Sequence, residues 1–222
     1  MTRHAPNPRS CRHRPLLTLL LTLLLPLLLA ACAGGGPVPE DHYYRLLAPP
    51  APPALAAPAI AGTLTVTPVE TFGIYRERAI LFTRSDDPAD LRQHYYHYWI
   101  DTPTRLIRDQ LVDYLRKSGI ARTVSGAELG LRGDIRLRLM LKNFERILHP
   151  DGKVSVRVKL DAVITDAANR PLKIASYRRD EPAGNDTMPA SVAAFDRALG
   201  DIYAEILKDL LALASERHPA SG

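Results

Sequence analysis

The chain has 222 residues with 29 Lys and Arg against 24 Asp and Glu, which gives a formal net charge of +5. Four of the basic residues and none of the acidic ones lie in residues 1–31, so the remaining 191 residues carry only 25 basic against 24 acidic side chains, or +1. This balance excludes the general electrostatic footprint of a DNA- or RNA-binding protein, and nucleic acid is not expected as a partner.

Residues 1–31 are predicted to be a lipoprotein signal peptide, in which arginines precede the apolar run Leu16–Leu29. That run is about 14 residues long, shorter than the ~20 residues that a membrane-spanning helix needs. It ends in Leu29-Ala30-Ala31-Cys32, which resembles the lipobox of bacterial lipoproteins, where the signal is cleaved before the cysteine and the cysteine is acylated. We therefore predict that Cys32 is the lipid-attachment site and carries acyl chains such as palmitate.

An ordinary signal peptide with a small-residue cleavage site at Ala31 and Ala33 stays open as the alternative. It would leave Cys32 as one unpaired thiol in an oxidising compartment, because Cys11 falls within the signal. In lipoproteins that this sequence resembles, an aspartate directly after the acylated cysteine favours retention in the inner membrane. Ala33 at that position predicts a lipid anchor in the outer membrane, with the domain on its periplasmic face.

Segment 32–61 is rich in Pro, Gly and Ala and is predicted to be an extended, semi-rigid tether that holds the domain off the membrane. The triple glycine Gly34–Gly36 is no phosphate loop, since no strand precedes it and no Gly-Lys-Ser/Thr follows. The aromatic stretch after His42 predicts a short strand near 43–47 that joins the domain's sheet. The domain is expected over 62–217, and 218–222 is expected to be a disordered tail.

Three strands are predicted at the start of the domain. Thr63–Val69 alternates apolar residues with threonines, as a half-buried strand does, and Ala79–Arg84 is the second strand. A polar connection around Gly73 links them. After a polar loop near Ser85–Asp90, the aromatic run Tyr95–Trp99 predicts the third strand.

The first helix has clear start and stop signals. Asp101 or Thr102 can cap it, Pro103 suits its first turn, and Gly119 is placed for a left-handed residue at its end. Its apolar side chains fall on one face, which predicts a helix packed on a sheet: Ile107, Leu111, Tyr114 and Leu115.

A β-hairpin is predicted around the turn His149–Gly152. From Leu131 to Leu141 the apolar residues take odd positions, and from Val154 to Ile164 they take even ones. A turn at Pro150-Asp151 pairs residues whose numbers sum to 301, which brings the two apolar faces together. The expected pairs are Leu141 with Leu160, Leu139 with Ala162 and Leu137 with Ile164.

A further strand near Leu172–Arg178, a polar loop over Asp180–Pro189 and an amphipathic helix from Val192 to Leu213 complete the chain. Two amphipathic helices and one mainly antiparallel sheet predict an α+β fold, a two-layer sandwich.

No catalytic motif is present, and neither an enzyme activity nor a cofactor is expected. His94 and His97 form an H-x-x-H, but residues three apart on a strand point to opposite faces, so no metal site is predicted unless a bend intervenes. Asp86 and Asp87 lie in a polar loop beside Pro88, where a general acid would lack the burial that it needs.

Two groups of residues are candidates for a partner surface. The hairpin register places a basic stripe on one sheet face, which is either a solvated face or a docking surface for an acidic partner or lipid headgroups. Outward members of the aromatic run are of the kind enriched at interface centres. The candidate partner surface comprises Tyr96, Tyr98, Trp99, Arg136, Arg138, Lys142, Arg157 and Lys159.

The order of these pieces resembles the ABC-type transport auxiliary lipoprotein family over nearly the whole mature chain. The motifs that carry the resemblance are the lipobox, Tyr43-Tyr44-Arg45-Leu46, Val66-Thr67-Pro68-Val69, Tyr75 and Arg78 ahead of Ile80-Leu81-Phe82-Thr83-Arg84, and Tyr98-Trp99 leading into Leu106-Ile107-Arg108-Asp109-Gln110-Leu111. Ile100-Asp101 departs from the family pattern, in which a small residue and a glutamate or serine often follow the tryptophan.

The resemblance implies a non-enzymatic partner of a transporter that moves lipids between the two membranes and supports membrane integrity. Such systems typically have an inner-membrane ATPase and permease and a mammalian-cell-entry-type protein, which is the implied partner here. The lipoprotein would supply the outer-membrane end. A structural or assembly lipoprotein that partners an outer-membrane protein is the alternative, and a homo-oligomer stays possible.

Overall fold

The computed structural model of this protein describes residues 39–126 and 133–217. Cys32, the predicted signal peptide, Leu131 and the predicted tail 218–222 lie outside the described residues. The described residues form one sheet whose strands are β1 (His42–Tyr44), β2 (Ile60–Val66), β3 (Glu70–Thr71), β4 (Ala79–Arg84), β5 (Asp87–Trp99), β6 (Ala121–Gly126), β7 (Ile135–Leu148), β8 (Val154–Asp166) and β9 (Pro171–Pro182). The helices in the same residues are α1 (Pro103–Ser118) and α2 (Met188–Arg217), and a short 3₁₀ turn spans Gly73–Arg76.

The long strand β7 organises the sheet. One of its edges pairs antiparallel with β8, which pairs antiparallel with β9. Its other edge pairs in parallel with β2, β3 and β4 in turn. Beyond these, β6 joins β2 in parallel, β5 joins β4 antiparallel, and β1 joins β5 in parallel. The predicted α+β sandwich is confirmed, with a mixed sheet in which the parallel pairs join strands distant in sequence.

The predicted hairpin register is confirmed up to Leu141, which pairs with Leu160 as the sum of 301 requires. From Asn143 onward the sum is 302, since Lys142 is an extra residue in a β-bulge. Phe144 and Arg146 consequently lie on the inner face of the sheet, which packs against the helices, although even-numbered residues before the bulge face outward. We call the opposite side the outer face.

Both helices pack on the inner face. α1 begins after Thr102 with Pro103 in its first turn and ends at Gly119, whose φ of +67° is the left-handed conformation that glycine tolerates best. The two helices are joined where the buried Tyr203 hydroxyl of α2 donates to the Ile107 carbonyl of α1 at 3.1 Å. None of the described helices is both long and apolar enough to cross a membrane.

The chain joins the domain earlier than the predicted boundary at residue 62. Leu46 is buried, the Leu47 amide donates to Asp196 of α2 at 2.8 Å, and the Leu55 amide donates to the Ser118 carbonyl of α1 at 2.9 Å. Pro49 packs closely against Gly200 of α2, since a Cβ added to Gly200 would lie 3.2 Å from the Pro49 Cβ. The domain therefore starts near Asp41, and its Pro-rich segment runs across both helices.

Strand β6 was not predicted. Its signal is Ile120 and Val124 around Arg122 and Thr123, directly after the helix stop. This strand depends on tertiary pairing, because its partner β2 lies more than fifty residues away in the chain.

Candidate partner surface

The aromatic run of β5 divides between the core and the surface. Trp99 is 1% exposed and packs against Phe144 and Phe195, with ring centroids 5.2 and 5.3 Å away. Its inclusion in the partner surface was therefore wrong, because the strand places it on the inner face under α2. Tyr96 and Tyr98 are respectively exposed and half-buried.

A bulge in β5 turns two tyrosines outward. Ala79 of β4 pairs with Tyr98 but Leu81 pairs with Gln93, so β5 has extra residues between them. Tyr96 takes a φ of +63°, an unusual value for a side chain of this size, and is 41% exposed, while Tyr95 is 76% exposed. Tyr43 of β1 lies against Tyr98, with ring centroids 5.8 Å apart, and the Arg78 guanidinium lies 5.5 Å from the Tyr43 ring. We call Tyr43, Tyr95, Tyr96 and Tyr98 the aromatic edge.

The basic stripe lies on the outer face but is partly neutralised. Arg157 pairs across the sheet with Glu145 and forms a 2.6 Å ion pair with Asp180 of β9. Arg136 donates to the Ala167 carbonyl and to Asn169. Arg138 and Lys142 are exposed and Lys159 is half-buried. The cations available to a partner are thus fewer than the stripe predicted.

A buried carboxylate, Glu145, also lies on the outer face. Its Oε2 accepts from the Tyr75 hydroxyl at 2.9 Å and from the Phe144 amide at 2.7 Å, and its Oε1 accepts from Asn143. Burial raises the pKa of Glu145, while these hydrogen bonds act in the opposite direction. With its oxygens so occupied, Glu145 fixes Tyr75 and the 3₁₀ turn over the sheet.

A histidine cluster, which we define as His42, His94 and His97, lies on the other side of the same strands. The bulge brings His94 and His97 to one face of β5, where their ring centroids are 6.1 Å apart in a T-shaped arrangement. His42 of β1 stacks on His97 with centroids 5.2 Å apart and planes at 17°. The prediction that the two β5 histidines point to opposite faces assumed a regular strand, and it is wrong because a bend at Tyr96 lies between them.

The hydrogen bonds of the cluster fix its chemistry. The Tyr44 hydroxyl lies 3.1 Å from His97 Nδ1, and Arg146 Nη1 lies 2.8 Å from His94 Nε2. Since a guanidinium only donates, His94 Nε2 accepts and the ring is neutral with its proton on Nδ1. Burial and the adjacent Arg146 lower the pKa of His94 to about 4. Within the described ranges, no group of three His, Cys, Asp or Glu side chains is arranged to hold a metal ion.

Two cavities lie beside the helices. One of about 620 Å³ beside α1 is lined by charged side chains that pair with one another, Arg108 with Asp109 and Arg116 with Asp113. The other, of about 380 Å³, is largely apolar; among the described residues that line it, Asp134 alone is titratable, and it accepts from the Thr63 amide at 2.7 Å. The described residues of neither cavity bring an acid, a base and a nucleophile together.

Comparison with known proteins gives both a family and a fold. A family model described as the ABC-type transport auxiliary lipoprotein component matches residues 44–207, from β1 into α2. No curated protein sequence matches. The crystal structure of protein XCC0632 from Xanthomonas campestris, which carries the family designation DUF330, is similar over 80% of this chain and 98% of its own, with 19% identity and a TM-score of 0.71. A crystal structure of an uncharacterized protein is similar over 78% of this chain and 99% of its own, with 15% identity and a TM-score of 0.60. At these identities the similarity shows a shared fold.

Proposed function

Because the chain belongs to the ABC-type transport auxiliary lipoprotein component family, we propose that it is a lipid-anchored, non-catalytic accessory of a transporter that moves lipids between the two membranes. The observation that carries this proposal is that the family match spans almost the whole described domain and begins shortly after the lipobox-like Leu29–Cys32.

The anchor in this proposal is acylated Cys32 in the outer membrane. Only the eight residues from Ala33 to Glu40 separate it from Asp41, where the domain starts, and the nine links from Cys32 to Asp41 span at most about 32 Å. More than one acyl chain makes such an anchor stable, since one chain alone binds reversibly. A domain held this close to one membrane needs a partner that crosses the periplasm, which fits a mammalian-cell-entry-type protein.

We assign the partner contact to the aromatic edge, with the exposed Arg138 and Lys142 as secondary contacts. Tyrosine and arginine are over-represented at the energetic centres of interfaces, and the edge combines four tyrosines with Arg78. Tyr95 and Tyr96 project from a bulge whose backbone strain has no counterpart in the rest of the described strands.

The anchor is tested with Cys32→Ala and the matched control Cys11→Ala. We expect Cys32→Ala to abolish labelling by radioactive palmitate and to release a folded domain from the membrane fraction, while Cys11→Ala does neither. Ala33→Asp should move the labelled protein from the outer- to the inner-membrane fraction on a density gradient. Persistent membrane association of Cys32→Ala would refute the anchor.

The partner is tested by crosslinking in intact cells, followed by purification from detergent-solubilised envelopes. Recovery of a transporter component supports the proposal, and its loss in Tyr95→Ser/Tyr96→Ser supports the assigned surface. Ile174→Ser is the control, because Ile174 is 74% exposed on β9, far along the sheet from β5. Recovery of an outer-membrane barrel without any transporter component would favour the structural or assembly role instead.

A further inference from the structure

Strand β1 is held on the domain by a small set of contacts. It pairs with β5 through His42 opposite His97, Tyr43 opposite Tyr98 and Tyr44 opposite Trp99, and the Ile100 amide donates to the Tyr44 carbonyl at 2.7 Å. Its side chains add the stack of His42 on His97, the contact of the Tyr44 hydroxyl with His97, and the contacts of the Tyr43 ring with Tyr98 and Arg78. Two of these side-chain contacts go to one titratable ring.

We propose that the histidine cluster is a proton-operated latch, which holds β1 on β5 at neutral pH and releases it when the periplasm becomes acidic. The latch gives the tether two lengths. This inference builds on the proposed lipid anchor, since release of β1 lengthens the connection to the membrane only if Cys32 is held there.

The charges around the cluster explain why protonation opens it. His97 is flanked by His42 from β1, by His94 from its own strand and by Arg146 from β7. The Arg146 guanidinium is buried and donates to three neutral acceptors: Ser191 of α2, His94 and the Asp186 carbonyl. A proton on His94 removes one of these acceptors, and a proton on His97 adds positive charge near Arg146 in the ring that stacks on His42.

The carboxylates nearby do not offset this positive charge. Asp186 lies near Arg146 and favours the charged form of that guanidinium. Asp41 lies on the other side of β1, where it accepts from the Tyr43 hydroxyl at 3.3 Å. Asp196 of α2 holds the next residues through the Leu47 amide, and burial raises its pKa to about 6. Protonation of Asp196 stabilises its buried state and so opposes the release of β1 at acidic pH. The experiment therefore needs a variant in which Asp196 cannot titrate.

The pH range follows from the same contacts. Burial, His42 and Arg146 lower the pKa of His97 below its ordinary value, and burial and Arg146 lower that of His94 to about 4. Both rings are therefore neutral at neutral pH, and each takes up a proton only at a lower pH than an ordinary histidine. Release as far as Leu46 would free the residues from Asp41 to Arg45, which adds about 16–18 Å to the tether and removes Tyr43 from the aromatic edge.

Hydrogen exchange of the full-length lipoprotein in detergent micelles tests the latch. The Ile100 amide is the reporter, since its acceptor is the Tyr44 carbonyl of β1. We expect its protection, corrected for the intrinsic exchange rate, to fall at least about tenfold between about pH 7.5 and about pH 5, while amides of the β7–β8 hairpin stay protected. His97→Gln keeps hydrogen-bonding capacity without a titratable ring and should abolish this fall in protection at acidic pH. His149→Gln, in the hairpin turn, is the matched control and should behave as wild type.

Equal pH dependence in wild type and His97→Gln would overturn the latch, as would constant protection in the wild type. If His97→Gln fails to fold by circular dichroism, His42→Gln replaces it, because His42 is exposed and its loss removes only the stack. Asp196→Asn should enlarge the effect by removing the opposing titration. The measurement needs neither membrane nor partner, so failure of the anchor in the Cys32→Ala experiment leaves its outcome unaffected.

Discussion

Replacement of Trp99 by alanine should cost several kcal/mol of unfolding free energy without touching any partner contact. The side chain is 1% exposed between Phe144 and Phe195, and Trp buries about 200 Å², worth about 5 kcal/mol at 25 cal/mol/Å². That area is an upper bound, and measured Trp-to-Ala costs in cores are about 3–5 kcal/mol, so we expect about 4 kcal/mol. The backbone bond from the Trp99 amide to the Arg78 carbonyl stays in place.

Urea unfolding followed by far-ultraviolet circular dichroism measures this loss, and Tm should fall by about 8–16 °C for a chain of this size. Tyr95→Ala is the matched control, because Tyr95 is an aromatic residue of the same strand that is 76% exposed and should change stability by at most about 0.5 kcal/mol. If Trp99→Ala does not fold, Trp99→Leu should show a smaller loss of the same kind. A cost below about 1 kcal/mol, or an equal cost for Tyr95→Ala, would refute the division of β5 into core and surface.

Three further outcomes are expected. Gly119→Ala should cost about 1–2 kcal/mol in a thermal melt, because the φ of +67° strains a Cβ whose nearest neighbour is an ordinary 3.7 Å away, and Gly119→Asn should cost less. The variant that lacks Lys142 should fold and lose less than about 2 kcal/mol of unfolding free energy in urea, since the deletion removes the bulge and leaves every later pair of β7 with β8 in place. Deletion of Arg138, which is also exposed, should prevent folding because it shifts the paired residues. The neutral His94 ring should contribute its full stabilisation above about pH 6.5, and about 2 kcal/mol of unfolding free energy should be lost as the pH falls towards 4, after allowance for its partial exposure. The difference in unfolding free energy between wild type and His94→Gln isolates this loss from Asp196, whose titration has the opposite sign. A difference that does not change with pH would contradict the neutral His94.

The fold was largely predictable where structure follows from local pattern. The alternation on both sides of His149–Gly152 specified the hairpin, since any other register would set leucines against charges. Pro103 and Gly119 bounded α1 because each has a backbone preference that needs no tertiary partner. Strand β6 and the packed segment from Leu46 to Leu55 escaped prediction, because their partners are distant in sequence and Pro-rich composition is typical of linkers.

The site was less predictable, and the reason is the two bulges. The bulge at Lys142 moves Phe144 and Arg146 to the inner face, and the bend at Tyr96 brings His94 and His97 together. An added residue shifts the phase of the alternation, but the neighbouring strands decide which residue is the extra one and which face the following side chains take. Trp99 was misassigned for a related reason, since the face of an aromatic run depends on which strand pairs with it.

The sequence by itself determined the family, the expected lipid anchor and the alternation that makes a two-layer sandwich, because these depend on short motifs and on periodicities of two and 3.6 residues. Only the tertiary structure decided where the domain begins, which tyrosines are exposed and that three histidines meet beside a buried arginine. Those properties arise from pairing between strands that are distant in sequence. The contacts that stabilise such pairing join two separate segments, so neither segment alone specifies it.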